Sequence, residues 1–250
     1  MLKVRIIPCL DIIKNKVVKG VNFKNIKVLG DPVSFAKKYS DNGADEICML
    51  DITASHEKRK TFLKTVEAIA KVIDIPLTVG GGVSDLSDIS TLLNAGADKI
   101  SINTAAVLNP NLIKKAAIKH GSQCIVVAID GKRYGSKMFV TIKGGREKTN
   151  KELISWSKKS QSLGAGELLV TSMDTDGVQT GFDKEMLIKI NKEVTIPVIA
   201  SGGVGELKHF LEGYKTKSSG LLAASVFHNS KFTIKQVKTY LNRNRIPVRI

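Results

Sequence analysis

The chain is short of aromatic residues, of cysteine and of long apolar runs, and each shortage closes off a class of function. Phe, Trp and Tyr together make up 5% of the 250 residues, too few for the base-stacking platform of a single-stranded nucleic-acid binder. Cys9, Cys48 and Cys124 are an odd number, lie inside apolar strand-like stretches and show no C-x-x-C spacing. They read as reduced core residues, neither a disulfide framework nor a metal site. His56, His120, His209 and His228 are scattered, with no H-x-x-x-H pair, and no metal is expected. No apolar run approaches the roughly 18 residues of a membrane span. No Pro- or Ser-rich linker divides the chain, and Met1-Leu2-Lys3-Val4-Arg5 lacks the apolar stretch of a signal peptide. A single cytoplasmic domain over residues 1–250 is expected, away from any membrane.

Positive charge is in excess, with a formal net charge of +16. The basic residues are dispersed over the polar faces of expected helices such as 112–119, 184–192 and 231–245, without a nucleic-acid-binding signature. They are expected to be solvated, drawing anionic substrates rather than nucleic acid.

The remaining composition, 42% hydrophobic, is arranged in short apolar runs that alternate with amphipathic stretches, the pattern of βα units. Eight strands are expected near 4–10, 46–51, 76–80, 98–102, 123–129, 167–172, 196–200 and 220–223. Helices are expected near 32–42, 58–73, 85–94, 110–119, 150–163, 183–192, 206–213 and 231–242. Eight repeats in this length match a (β/α)8 TIM barrel. Asp31-Pro32 and Asn109-Pro110 look like N-caps followed by proline, and Gly43, Gly96, Gly121 and Gly164 stand where helices should end.

The chain also resembles itself. Ile6-Ile7-Pro8-Cys9-Leu10-Asp11 and Ile125-Val126-Val127-Ala128-Ile129-Asp130 are apolar runs ending in a carboxylate, 119 positions apart (130 − 11). Sliding the sequence by about 120 residues brings Gly80-Gly81-Gly82 onto Ser201-Gly202-Gly203 and Asn103-Thr104 onto Ala224-Ser225, and brings Asp51 near Thr171. Two homologous half-barrels follow, each with one acid and one glycine-rich turn.

In such a barrel Asp11 and Asp130 end opposite strands, one and five, where a carboxylate pair can do general acid–base work. Gly82 and Gly203, with Asn103, Thr104, Ala224 and Ser225 beside them, let backbone N–H groups approach an anion at strand ends used for phosphate binding. Two such cradles imply an elongated bis-phosphate. Long connections at 12–31 and 131–149 follow the aspartates, where barrel enzymes place substrate contacts. Period-2 geometry points Arg5 inward with Asp11, roughly 20 Å lower. Glu46, Lys99 and Glu167 occupy equivalent early positions in the second, fourth and sixth expected strands, so that with Arg5 two cations and two anions can form a ring at the barrel floor. Buried ion pairs are a poor way to gain stability, and a gate for a small polar molecule explains the ring.

These residues, together with Leu50-Asp51-Ile52-Thr53-Ala54-Ser55, Asp174-Thr175-Asp176-Gly177 and Ala223-Ala224-Ser225-Val226-Phe227-His228, closely resemble the cyclase subunits of imidazole glycerol phosphate synthase over essentially the whole chain. The resemblance implies a lyase of histidine biosynthesis that needs no cofactor. In such proteins ammonia attacks a bis-phosphorylated aminoimidazole carboxamide ribonucleotide carrying a phosphoribulosyl-formimino arm. Imidazole glycerol phosphate forms and an aminoimidazole carboxamide ribotide leaves. By resemblance Asp11 and Asp130 are the catalytic pair, Lys19 contacts substrate, and Asp176 and Gly177 border one phosphate. The ring of Arg5, Glu46, Lys99 and Glu167 gates ammonia from a glutaminase docked on the amino-terminal face, where Asp98 lies. None of the cysteines sits in a Gly-x-Cys-x-Gly nucleophile turn, so nitrogen must come from a partner or from free ammonia. The chain departs from the family pattern at Gly144, at Thr149-Asn150 and at 215–219.

The alternative is a paralogue that delivers ammonia for amidination of a nucleotide sugar in surface-polysaccharide synthesis. Such a paralogue need not keep both aspartates, and this chain has both. A related phosphoribosyl isomerase shares the aspartates and cradles but not the gate.

Overall fold

The computed structural model describes residues 3–21, 24–52 and 63–250. Thr53-Ala54-Ser55, His56 and the first part of the helix expected from 58 lie outside the described residues. The strands, in chain order, are β1 (Arg5–Ile13), β2 (Lys16–Val21), β3 (Lys24–Gly30), β4 (Ile47–Asp51), β5 (Leu77–Gly80), β6 (Lys99–Ile102), β7 (Ile125–Tyr134), β8 (Lys137–Ile142), β9 (Glu147–Glu152), β10 (Glu167–Ser172), β11 (Val198–Ser201) and β12 (Gly220–Ala223). Eight of them, β1, β4, β5, β6, β7, β10, β11 and β12, pair in parallel around a closed ring, with β12 returning to β1. This is the (β/α)8 barrel that the alternating pattern leads one to expect.

The helices are α1 (Pro32–Asp41), α2 (Leu63–Ala70), α3 (Leu86–Asn94), α4 (Thr104–Leu108), α5 (Asn111–His120), α6 (Leu153–Ser162), α7 (Lys184–Glu193), α8 (Leu207–Lys215), α9 (Ser225–His228) and α10 (Ile234–Arg243). Their apolar stripes face the strands, as at Ala36 and Tyr39 of α1 or Leu187 and Ile190 of α7. The main core therefore lies between helices and barrel. Asp31 caps α1 by accepting the Ser34 N–H at 2.8 Å. Asn109 does not repeat the device: α5 starts at Asn111 with no side-chain cap, and the Asn109 carbonyl accepts the Leu112 N–H instead.

The duplication is visible in the ladder. Ile47↔Leu77 in one half becomes Leu168↔Val198 in the other, Thr78↔Lys99 becomes Ile199↔Gly220, and Cys9↔Cys48 becomes Ala128↔Leu169. Thr171 stands opposite Asp130 as Leu50, not Asp51, stands opposite Asp11. The two halves thus place their aspartates in the same rung.

Both long connections are β-ribbons, not open loops. β1 runs on past Asp11 into the antiparallel pair β2–β3, and β7 runs past Asp130 into β8 and β9. The strand β9 occupies 147–152, so α6 begins three residues later than its sequence pattern suggests.

Glycine is required at Gly81, where φ is +90° and an added Cβ would stand 2.2 Å from the Asp51 carbonyl oxygen. Gly81→Ala combines left-handed strain with backbone overlap. It is expected to cost at least about 2 kcal/mol and to lower the melting temperature by roughly 4–8 °C in a thermal scan.

Candidate active site

At the carboxyl ends of the barrel strands, a cavity of about 180 Å³ opens to solvent. Asp11, Lys19, Gly82, Asn103, Thr104, Asp130, Asp176, Gly177, Gly203, Ala224 and Ser225 all line it. The structure therefore brings together every residue singled out for catalysis or phosphate contact, from seven separate strand ends and the ribbon after β1. The one-turn helices α4 and α9 follow β6 and β12 and start at Thr104 and Ser225, so the small residues of each half sit at a sharp strand-to-helix corner. Neither helix was expected from the sequence.

The two aspartates have different surroundings. Asp11 pairs with Lys19 of β2, Nζ to Oδ2 at 3.3 Å, and accepts the Cys9 thiol at 3.6 Å. Asp130 has no ion-pair partner among the described residues; the Asn103 Nδ2 donates to its Oδ2 at 2.8 Å. Burial pushes the Asp130 carboxyl up to about 7, the Asn103 hydrogen bond partly opposes this, and the charge of Asp176 adds to it. Burial likewise raises Asp176, with Lys19 opposing and Asp11 reinforcing. Burial disfavours the Lys19 ammonium, but the attraction of Asp11 and Asp176 outweighs this and its pKa rises. Near neutral pH one side of the mouth holds an ion pair and the other a carboxyl that can gain or lose its proton. That division of labour suits acid–base chemistry. Among the described residues the buried Asn103 Oδ1 has no hydrogen-bond partner, leaving an acceptor that a ligand N–H or O–H can satisfy.

The ribbon after β7 is clamped to this wall. The Lys143 N–H donates to Thr104 Oγ1 at 3.1 Å, and Gly144, with φ +66°, lines the cavity. The departure at Thr149 serves the ribbon itself, since Thr149 Oγ1 donates to the Val140 carbonyl at 2.8 Å. Thr171, Met173, Gln179 and Ser201 also line the mouth and were not singled out from the sequence. Thr171 and Ser201 were legible as the polar ends of barrel strands; Met173 and Gln179 had no signal.

At the opposite end the four charged residues form a closed ring. Arg5 Nη1 reaches Glu46 Oε2 at 2.6 Å, Arg5 Nη2 bonds Glu167, and Lys99 Nζ bridges Glu46 and Glu167 at 2.9 Å each. Burial alone would lower the Arg5 pKa, but both glutamates raise it, so Arg5 stays charged. Thr78 Oγ1 donates to Glu46 Oε1 at 2.6 Å. Between ring and mouth lies an apolar layer of Ile7, Cys48, Val126, Leu169, Ile199 and Leu222, with Cys9 above it. Asp98 is exposed beside Lys99, its Oδ2 accepting the Leu77 N–H at 2.8 Å.

A barrel with paired aspartates, paired cradles and a charged floor narrows the choice of family, and comparison with known proteins decides it. The family described as "Histidine biosynthesis protein" matches residues 5–233. The chain belongs to this family. Within it, the chain is 52% identical over 250 residues to the imidazole glycerol phosphate synthase subunit HisF of Endomicrobium trichonymphae, covering 100% of this chain and 96% of that protein. It is also 52% identical over 246 residues to the subunit HisF of Campylobacter concisus (strain 13826), covering 98% of each. Both relatives carry the name of a subunit. No helix among the described residues is long and apolar enough to cross a membrane.

Proposed function

We propose that this chain is the cyclase subunit of an imidazole glycerol phosphate synthase, a lyase of histidine biosynthesis working in the cytoplasm with a glutaminase subunit. The full-length similarity is to proteins named as this subunit, and the amidinating alternative is not favoured. The observation that carries the site assignment is the convergence of two acids and two glycine-lined corners on one cavity, above a charged ring.

In this reading the bis-phosphate spans the mouth. One phosphate rests on Gly82, Asn103 and Thr104, and the other on Gly177, Gly203, Ala224 and Ser225. The formimino carbon then lies between Asp11 and Asp130, and Lys19 meets the substrate from the ribbon. Ammonia adds to that carbon and gives up a proton; the bond to the exocyclic amino nitrogen of the aminoimidazole carboxamide ribotide breaks and that nitrogen takes one, after which the newly added nitrogen condenses with the ketone of the phosphoribulosyl arm, losing water, to close the imidazole. Asp130, poised near 7, is the donor, and Asp11, paired with Lys19, is the acceptor. Ammonia arrives through the Arg5, Glu46, Lys99, Glu167 ring from a partner docked on the face that carries Asp98. The apolar layer above the ring favours neutral ammonia over ammonium.

The test is conversion of the bis-phosphate by the purified chain alone in an ammonium salt. Product is expected, and rates expressed per free ammonia should fall as pH rises through about 7, where Asp130 loses its proton. A folded chain that yields no product at any pH contradicts the proposal.

A further inference from the structure

The ring at the barrel floor is held in register from outside itself. Asp45 and Glu46 lie immediately before β4. The Asp45 Oδ2 accepts the Ile6 N–H at 2.8 Å, and the Asp45 N–H donates to the Ile6 carbonyl at 3.1 Å. Asp45 therefore grips both polar groups of the residue next to Arg5, and its backbone is continuous with Glu46. Two of the four ring members thus share this one anchor.

The anchor has an anchor of its own. Asp45 Oδ1 accepts from Lys238 Nζ at 2.8 Å, across 193 residues of sequence, and both side chains are almost wholly buried. By its place in 231–245, Lys238 belongs among the solvated lysines. Instead it lies on the buried face of α10 with Ile234, Val237 and Leu241. The desolvation of two ions offsets most of their attraction, and an apolar pair of equal volume is commonly as stable or more so. What an apolar pair lacks is a directed, charge-assisted hold on the Ile6 amide. The pair's position, one residue from Arg5 and one from Glu46, gives that hold a use.

We propose that Lys238, acting through Asp45, is a positioning residue for the Arg5–Glu46 edge of the ring, so that α10 sets the fidelity with which the barrel floor passes ammonia. The inference rests on the reading of the ring as an ammonia gate. With the clamp released, the Arg5–Glu46 edge shifts and nitrogen from the partner is lost at the floor. Ammonia supplied in bulk still reaches the mouth directly.

The experiment uses the complex with its glutaminase and compares glutamine-dependent with ammonium-dependent turnover for the parent, Lys238→Met, Lys238→Arg and Lys99→Ala. Lys238→Met removes the cation; Lys238→Arg keeps the charge but displaces Asp45 with a bulkier head, and it decides the matter if the methionine variant fails to fold. Glutamine-dependent turnover is expected to fall roughly tenfold in Lys238→Met and several-fold in Lys238→Arg, with ammonium-dependent turnover within about twofold of the parent. Equal loss of both activities, tracking a lower melting temperature, would show a merely structural pair and overturn the inference. A parent-like ratio in the folded Lys238 variants, with the ratio lowered in Lys99→Ala, overturns the inference and leaves the gate standing. An unchanged ratio in Lys99→Ala as well removes the gate reading on which it rests.

Discussion

Removal of Glu46 is expected to be the most destabilising single change at the barrel floor. Glu46 is 1% exposed and accepts from Arg5, Lys99 and Thr78 at 2.6, 2.9 and 2.6 Å. Glu46→Ala leaves two cations sharing Glu167 and strands the Thr78 hydroxyl in a space too enclosed for bulk water. Breaking a buried ion pair from one side costs about 3–5 kcal/mol, because the partner is left charged without compensation. A urea titration should show that loss. In the assembled complex, glutamine-dependent turnover should fall much further than ammonium-dependent turnover, because the mouth is untouched.

Asp130→Asn is expected to separate stability from activity. Asparagine preserves the acceptor for the Asn103 amide but cannot exchange a proton, so turnover in ammonium should fall by roughly 10²- to 10⁴-fold. Stability should move the other way. A carboxyl whose folded pKa stands at about 7, against an ordinary 3.8, holds its proton more tightly in the folded state. Protonation therefore favours folding, and the parent loses stability as pH rises from about 4 to about 7, then levels off. Above that window the folded protein carries a buried anion that asparagine does not. Asp130→Asn should be more stable than the parent at pH 8, by an amount on the order of a few kcal/mol, with the gain shrinking toward pH 4. A thermal scan at both pH values measures the difference.

The parts of this architecture that were legible in the sequence are those set by short-range periodicity. The inward column Arg5, Ile7, Cys9, Asp11 follows from the alternation of one strand, and it correctly put the ring and the acid at opposite ends of β1. The glycine pairs were legible because their chemistry is backbone chemistry, although at Gly81 and Gly203 the close neighbour is another peptide carbonyl. The ribbons were not legible. β9 reads Glu147-Lys148-Thr149-Asn150-Lys151-Glu152, with no apolar face to betray it, and it exists because β8 offers it a ladder. The helices α4 and α9 are single turns, too short for a periodic pattern and held by the corners they form. Lys238 defeats pattern reading for a different reason. The pattern counts it with the solvated lysines of 231–245, and only the tertiary fold supplies Asp45 to neutralise it at a buried position. The Asn103–Asp130 bond, which tunes the proposed acid, is likewise a meeting of two strands that neither strand announces.

The most direct measurement is a crystal structure of the Asp130→Asn variant with the uncleaved bis-phosphate substrate bound. One phosphate is expected against Gly82, Asn103 and Thr104, the other against Gly177, Gly203 and Ser225, and the formimino carbon between Asp11 and position 130, facing the column that leads down to Arg5. A substrate bound with either phosphate away from these corners, or with its reacting carbon remote from Asp11, would contradict this reading of the site.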